Sequence, residues 1–170
     1  MFHYVENVFS TRVLDILTSK YCKILPTDNS SYEVWSSLMT DGNKLPEAFS
    51  TTIQGPDRMN IILDLFSNER LPFYKDQQTK FAQIAVQKLL PTCYIPEHND
   101  TCRASLTVFL NEDVTGGEFE WQGNGIKVII PPKFNCGVYA YNDIVLTGAN
   151  HKTLPVTGKN NRYTLQMFLN

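Results

Sequence analysis

The sequence predicts a mainly β fold with N-terminal helices, an α+β arrangement in which a jelly roll carries the helices on one of its sheets. Three observations predict it. Apolar residues recur at helical spacing before about residue 80, strand-length runs separated by turn formers fill the rest, and the last run has two faces of different character.

In the first half, Ser10 can cap a helix whose apolar positions Val13, Leu14, Ile16, Leu17 and Tyr21 fall on one face. A second helix is expected through Tyr32, Val34, Trp35 and Leu38. A third begins after Gly55-Pro56-Asp57 and presents Met59, Ile61, Ile62, Leu63, Leu65 and Phe66, a wide apolar surface for which a sheet is the natural partner. Residues 41–56, with Gly, Pro, Ser and Thr, read as a loop that serves either as a lid or as plain surface.

From residue 82 the pattern changes to eight strand-length runs: 82–90, 95–99, 104–111, 117–121, 126–130, 137–141, 150–154 and 162–169. Thr115-Gly116-Gly117, Gly123-Asn124-Gly125, Pro131-Pro132 and 157–161 supply the turns. In the last run Tyr163, Leu165, Met167 and Leu169 form an apolar face for the helices, which turns Arg162 and Thr164 into the barrel. A guanidinium buried there without an anion costs several kcal/mol. A dicarboxylate would supply the anion.

The 170 residues suit one domain, 1–170, with 1–80 as a helical support region and 81–170 as the jelly-roll core. With 42% hydrophobic and 19% charged residues the chain is an ordinary globular protein, and a net charge of -2 gives no electrostatic footprint for nucleic acid or anionic membranes. The segment after Met1 has no basic n-region and no continuous apolar stretch, so neither a signal peptide nor a spanning helix is expected, and the expected location is the cytoplasm. Cys22, Cys93, Cys102 and Cys136 form no C-x-x-C pair and read as reduced, buried thiols. Cys93 and Cys102 bracket His98, which leaves a zinc site using the three as an alternative.

The residues that carry chemistry are His98, Asp100, His151 and Arg162. Taken singly each has an ordinary reading: His98-Asn99-Asp100 as a surface turn, His151 as a hydrogen-bonded structural histidine, Arg162 as a surface ion-pair partner. Taken in order they read differently. Two imidazoles and one carboxylate that leave coordination positions open are what a non-haem Fe(II) oxygenase needs, and an arginine on a following strand can hold an acidic co-substrate through a bidentate pair.

From about residue 82 to the end the chain resembles the Fe(II)- and 2-oxoglutarate-dependent oxygenases, most of all their prolyl 4-hydroxylase-type branch. The resemblance rests on His98-Asn99-Asp100 after Tyr94-Ile95-Pro96, Phe109-Leu110-Asn111 leading to Gly116-Gly117-Glu118-Phe119, the Pro131-Pro132-Lys133 step, and His151 followed by Pro155-Val156 and Arg162-Tyr163-Thr164-Leu165. It implies a double-stranded β-helix, cupin-like, with His98, Asp100 and His151 as Fe(II) ligands and catalytic triad. It implies 2-oxoglutarate as co-substrate, held by Arg162 and Thr164, with Tyr94 as a further contact. The family's reaction consumes dioxygen and 2-oxoglutarate, hydroxylates a peptidyl proline, an amino acid or another small substrate, and releases succinate and CO2. Ascorbate is a common accessory in the family.

The chain departs from the family in places. Pro91-Thr92 stands where Pro-Gly is usual, Phe109 stands where the prolyl branch commonly has a tyrosine, and Lys159 precedes Arg162, although strand alternation pairs Arg162 with Thr164. Trp121, Tyr139 and Tyr141 either line the barrel mouth or pack within the sheets. Nucleic-acid demethylases of the superfamily usually carry a second arginine after the co-substrate arginine, and Phe168 and its neighbours offer none. Two other readings stay open: a non-catalytic jelly-roll protein that binds a metal or ligand, and a cupin-like hydrolase or isomerase, which would not need Arg162 inside the barrel.

Overall fold

The computed structural model describes residues 2–24, 33–34, 48–74, 78–142 and 149–170. Its strands are β1 (Phe2–Glu6), β2 (Glu33–Val34), β3 (Ala48–Thr52), β4 (Phe81–Leu89), β5 (Ile95–His98), β6 (Ala104–Phe109), β7 (Phe119–Gly123), β8 (Ile126–Ile130), β9 (Cys136–Tyr141), β10 (Asn150–Thr153) and β11 (Arg162–Leu169). They form a seven-stranded sheet in the order β1-β9-β6-β11-β4-β3-β2 and a four-stranded sheet in the order β5-β10-β7-β8. Every pairing is antiparallel, and the two sheets make the jelly roll that the alternating runs predict. Among the described residues no helix is long and apolar enough to cross a membrane.

The larger sheet is buried on both faces for different reasons. Its outer face, with Leu165, Met167, Leu169, Ile84, Val86, Leu106 and Val108, meets Val13, Leu17, Ile61 and Leu65 of the helices in one buried cluster. Each aliphatic side chain so buried contributes about 1.5–3 kcal/mol. Its inner face joins the smaller sheet in a second cluster containing Phe109, Val138, Phe119, Trp121 and Ile130. Leu89, Cys93, Ile95 and Val156 close one end. This division is what aims the odd-numbered positions of β11 outward and Arg162 and Thr164 inward.

The helices differ from expectation in detail. α1 (Thr11–Ile16) continues into a π-helical turn, Leu17–Tyr21, and a short α2 (Cys22–Ile24). Thr18 donates to the Leu14 carbonyl at 2.9 Å and Ser19 to that of Asp15, the back-bonding that competes with a regular helical ladder. Ser10 occupies the N-cap position but its hydroxyl makes no capping bond; its backbone N–H donates to Asp64 at 2.7 Å, which ties α1 to α3 (Gly55–Phe66). Asp57, in the first turn of α3, accepts from Lys20 at 2.6 Å and from the Tyr21 hydroxyl at 2.8 Å. The buried stripe of α3 is narrower than expected: Ile61 and Leu65 are buried, whereas Met59 and Leu63 are 57% and 58% exposed.

The helical support region needs a larger correction, because β1, β2 and β3 extend the main sheet on both sides. β1 pairs with β9 from Phe2↔Ala140 to Glu6↔Cys136, and β3 pairs with β4 from Ala48↔Leu89 to Thr52↔Ala85. The second expected helix is contradicted at Glu33–Val34, which is strand paired with Ser50 and Phe49; Tyr32, Trp35 and Leu38 lie outside the described residues. The expected loop 41–56 is strand over Ala48–Thr52 and the start of α3 at Gly55, while 41–47 lies outside the described residues. Tyr139 packs on the helix side, 5.6 Å ring to ring from Phe73, with Tyr141 edge-on to it at 5.1 Å, so neither lines the barrel interior. Trp121 does face that interior.

Candidate metal centre and anion pocket

The smaller sheet assembles the titratable cluster. His98 ends β5, His151 lies in β10, and the two are directly opposed in register, with Trp121 of β7 opposed to His151 on its other side. Asp100 follows β5 and turns back so that its Oδ1 lies 3.6 Å from His98 Nε2 and its Oδ2 3.4 Å from His151 Nε2. One ligand atom from each residue lies within 4.8 Å of the others, and among the described residues no further His, Cys, Asp or Glu joins such a group. The alternative zinc site is thereby corrected: Cys93 is buried in the apolar cluster with Leu89, Ile95 and Val156, and Cys102 engages the Ala104 carbonyl at 3.1 Å and Asn142 at 3.2 Å.

The surroundings orient the ligand atoms. His98 Nδ1 lies 2.8 Å from the Pro96 carbonyl, which can only accept, so in the neutral ring Nδ1 carries the proton and Nε2 has the lone pair that a metal would take. The His151 ring stacks on Phe119 at 5.4 Å and meets His98 at 4.3 Å. Asn99 donates to the Ala149 carbonyl, which ties the β5–β6 turn to the start of β10. Burial opposes charge on Asp100, but His151 and His98 outweigh it and hold the carboxyl well below its usual range. Burial likewise opposes charge on His98, but Asp100 and the Pro96 carbonyl outweigh it and its pKa is raised. Two imidazole nitrogens and a carboxylate oxygen converging at this spacing form a donor set that fits a divalent transition metal with positions left over.

The larger sheet supplies the second half of the site. Arg162, at the start of β11, is 0% exposed. Its Nη1 donates to Thr164 Oγ1 at 3.4 Å and its guanidinium lies over the Phe109 ring at 5.2 Å, while Nε and Nη2 find no partner. Burial pulls its pKa down to about 9, with Glu118 acting in the opposite direction, so it remains a cation at neutral pH. Unpaired donors on a buried cation are what an incoming anion would satisfy.

Gly117 makes room for that arginine. It adopts φ +70°, and a Cβ there would stand 2.7 Å from Arg162 Cδ and 3.2 Å from Val156 Cγ2. The Gly117 N–H donates to the Pro155 carbonyl at 3.0 Å, which holds the chain before β11 against the turn. Thr92, the departure from the usual Pro-Gly, still takes the left-handed backbone at φ +76°, with its N–H donated to Val156 at 2.8 Å. Phe109 lies under the guanidinium, whereas Lys159 lines a surface depression with Thr18, Cys22 and Asn111, apart from Arg162. Tyr94 is 41% exposed between buried Cys93 and Ile95. Sequence reasoning passed over Gln87, which is 4% exposed on the inner face of β4. The signal available for it was only a second amide, after Gln83, in a strand that also carries Lys88.

No family model and no curated protein matches the chain. Solved structures do match in fold. An oxidoreductase of the 2OG-Fe(II) oxygenase family from Burkholderia pseudomallei aligns with 99% of this chain and 84% of its own at 15% identity and a TM-score of 0.72. A prolyl-4-hydroxylase from Pseudomonas putida aligns over 98% of this chain and 91% of its own at 14% identity and a TM-score of 0.71. A prolyl hydroxylase from Trichoplax adhaerens, solved with a hypoxia inducible factor oxygen degradation domain peptide fragment, aligns over 99% and 82% at 13% identity and a TM-score of 0.73. The chain shares its fold with these proteins over nearly its whole length, including the N-terminal region for which the sequence offered no resemblance.

Proposed function

We propose that this chain is an Fe(II)- and 2-oxoglutarate-dependent dioxygenase that hydroxylates a peptidyl proline, an amino acid or another small substrate. The observation that carries the reading is the buried guanidinium of Arg162, short of partners inside the same barrel whose other sheet bears His98, Asp100 and His151. A cupin-like hydrolase would have no need of that cation. A bound Fe(II) would supply dioxygen activation coupled to decarboxylation of 2-oxoglutarate, with succinate and CO2 released.

The chain's own residues divide the work. His98 and His151 would present Nε2 and Asp100 a carboxylate oxygen to the metal, with Pro96 fixing the His98 tautomer. Arg162 would pair with the distal carboxylate of 2-oxoglutarate, and Thr164 would steady the guanidinium through its hydroxyl. Phe109, Phe119 and Trp121 would keep water from the pocket, which strengthens both the ion pair and the ligand set. We place Tyr94 at the rim, where its exposure leaves it a small share; Tyr94→Phe should change 2-oxoglutarate affinity no more than about twofold.

The test is succinate formation by Fe(II)-loaded protein under air with 2-oxoglutarate. The wild type should form succinate, and His98→Ala and Arg162→Gln should not. Equal succinate from all three would refute the assignment.

A further inference from the structure

Among the described residues, the buried side-chain polar atoms that lack a partner are Nε2 and Oε1 of Gln87, Nε1 of Trp121, and Nε and Nη2 of Arg162. Gln87 is the member for which the proposed function has no use. It lies in β4, and Thr164 of β11 stands directly opposite it in register. Directly opposed residues in an antiparallel pair point to the same face with Cβ atoms about 5 Å apart. Arg162, two residues before Thr164, shares that face, while Val86 and Leu165 turn to the helix-side core. Four unpartnered polar atoms therefore belong to side chains of adjacent strands on the inner face.

The donor and acceptor inventory tells what would satisfy them. Thr164 Oγ1 already accepts from Arg162 Nη1 and still has its own proton to give. Ser50, opposed to Gln87 on the β3 side, is a second buried hydroxyl. Neither is bonded to Gln87 Oε1 in this structure, so one of the two would have to turn its hydroxyl toward that oxygen to satisfy it. With Oε1 so satisfied, the amide N–H pair of Gln87 and the Nε and Nη2 groups of Arg162 would remain, all of them donors. An anion with several lone pairs meets that need, and a carboxylate is the planar one that matches a guanidinium fork.

We propose that Gln87 is a second anchor of the co-substrate's distal carboxylate, its amide N–H groups donating beside Arg162 while its carbonyl takes a proton from Thr164 or Ser50. This rests on the 2-oxoglutarate reading and adds to it a positioning residue on a strand other than β11. A carboxylate held from two strands has its orientation fixed as well as its location, which governs how the keto-acid end is presented to the metal site.

The test uses the full chain loaded with Mn(II) and titrated calorimetrically with 2-oxoglutarate and, separately, with oxalate, a chelating dianion that has no distal carboxylate. Gln87→Leu and Gln87→Met keep the side chain's size and remove the amide. Both should weaken 2-oxoglutarate by about tenfold to a hundredfold, the range for a hydrogen bond to a charged group. Oxalate affinity should stay at the wild-type value. In Gln87→Leu/Arg162→Gln the two losses should be less than multiplicative, since both residues hold one group. If both Gln87 variants bind 2-oxoglutarate as tightly as the wild type, or lose oxalate in the same proportion, the assignment is wrong and the oxygenase reading stands. If the Mn(II)-loaded wild type binds oxalate but not 2-oxoglutarate, the reading itself fails and takes the Gln87 assignment with it.

Discussion

Arg162 reaches Thr164 Oγ1 at 3.4 Å through one nitrogen and leaves its other two without a partner, at a position that is 0% exposed. A cation in that state is held by the fold at a cost, and the cost is recovered when an anion arrives. Stability and ligand affinity should therefore move in opposite directions when the charge is removed.

Arg162→Met, of similar length and without charge, should raise the stability of the ligand-free protein by about 1–3 kcal/mol, because a buried unpaired charge is replaced by an apolar side chain. The same variant should lose 2-oxoglutarate binding. Urea unfolding with and without 2-oxoglutarate measures both effects; a variant less stable than the wild type in the ligand-free state would mean that the guanidinium has partners after all.

Gly117→Ala should do the reverse of a harmless surface change. The residue sits at φ +70° and the added methyl would meet Arg162 Cδ at 2.7 Å, so backbone strain and a displaced guanidinium add together. A loss of about 1–3 kcal/mol in unfolding free energy and a weakened 2-oxoglutarate affinity are expected. Affinity and stability both at wild-type values would show that the arginine stem can shift freely.

Thr92 carries a β-branched side chain at φ +76°, a backbone region that such residues avoid. Thr92→Gly should relieve the strain and stabilise by about 1 kcal/mol, a rise of roughly 2–4 °C in Tm for a chain of this size. A fall in Tm would show that the threonine side chain contributes more than its backbone costs.

Asp100 and His98 make the stability of the metal-free protein depend on pH. The carboxyl is held below its ordinary value of 3.8, so its contribution is complete above that pH and is lost as pH falls. The imidazole is raised above its ordinary 6.5, so its contribution is complete below that pH and is lost as pH rises through the raised value. The deficit of Asp100→Asn relative to wild type should be greatest between those two values and shrink on either side. Denaturant unfolding of metal-free protein at a series of pH values checks this, and a deficit independent of pH would contradict it.

Much of this arrangement was legible in the sequence. The runs at 126–130 and 162–169 coincide with β8 and β11, and the others from residue 82 onward differ from their strands only at the ends, because two-residue alternation bounded by Gly and Pro is a local signal. β1, β2 and β3 were not legible, since their pairing partners lie far along the chain and β1 buries only Val5. The inward aim of Arg162 followed from alternation alone. Gln87 did not, because one of two amides in a strand that also carries Lys88 shows neither its burial nor its lack of a partner until β3 and β11 flank it.

The most direct test of the central claim is an anaerobic titration of the Fe(II)-loaded protein with 2-oxoglutarate, followed by the visible charge-transfer absorption that a chelated keto acid produces on ferrous iron. The account predicts that the band grows in and saturates for the wild type, is absent from His98→Ala, and requires far more 2-oxoglutarate in Arg162→Gln. A wild-type protein that holds iron yet shows no band at millimolar 2-oxoglutarate would contradict it.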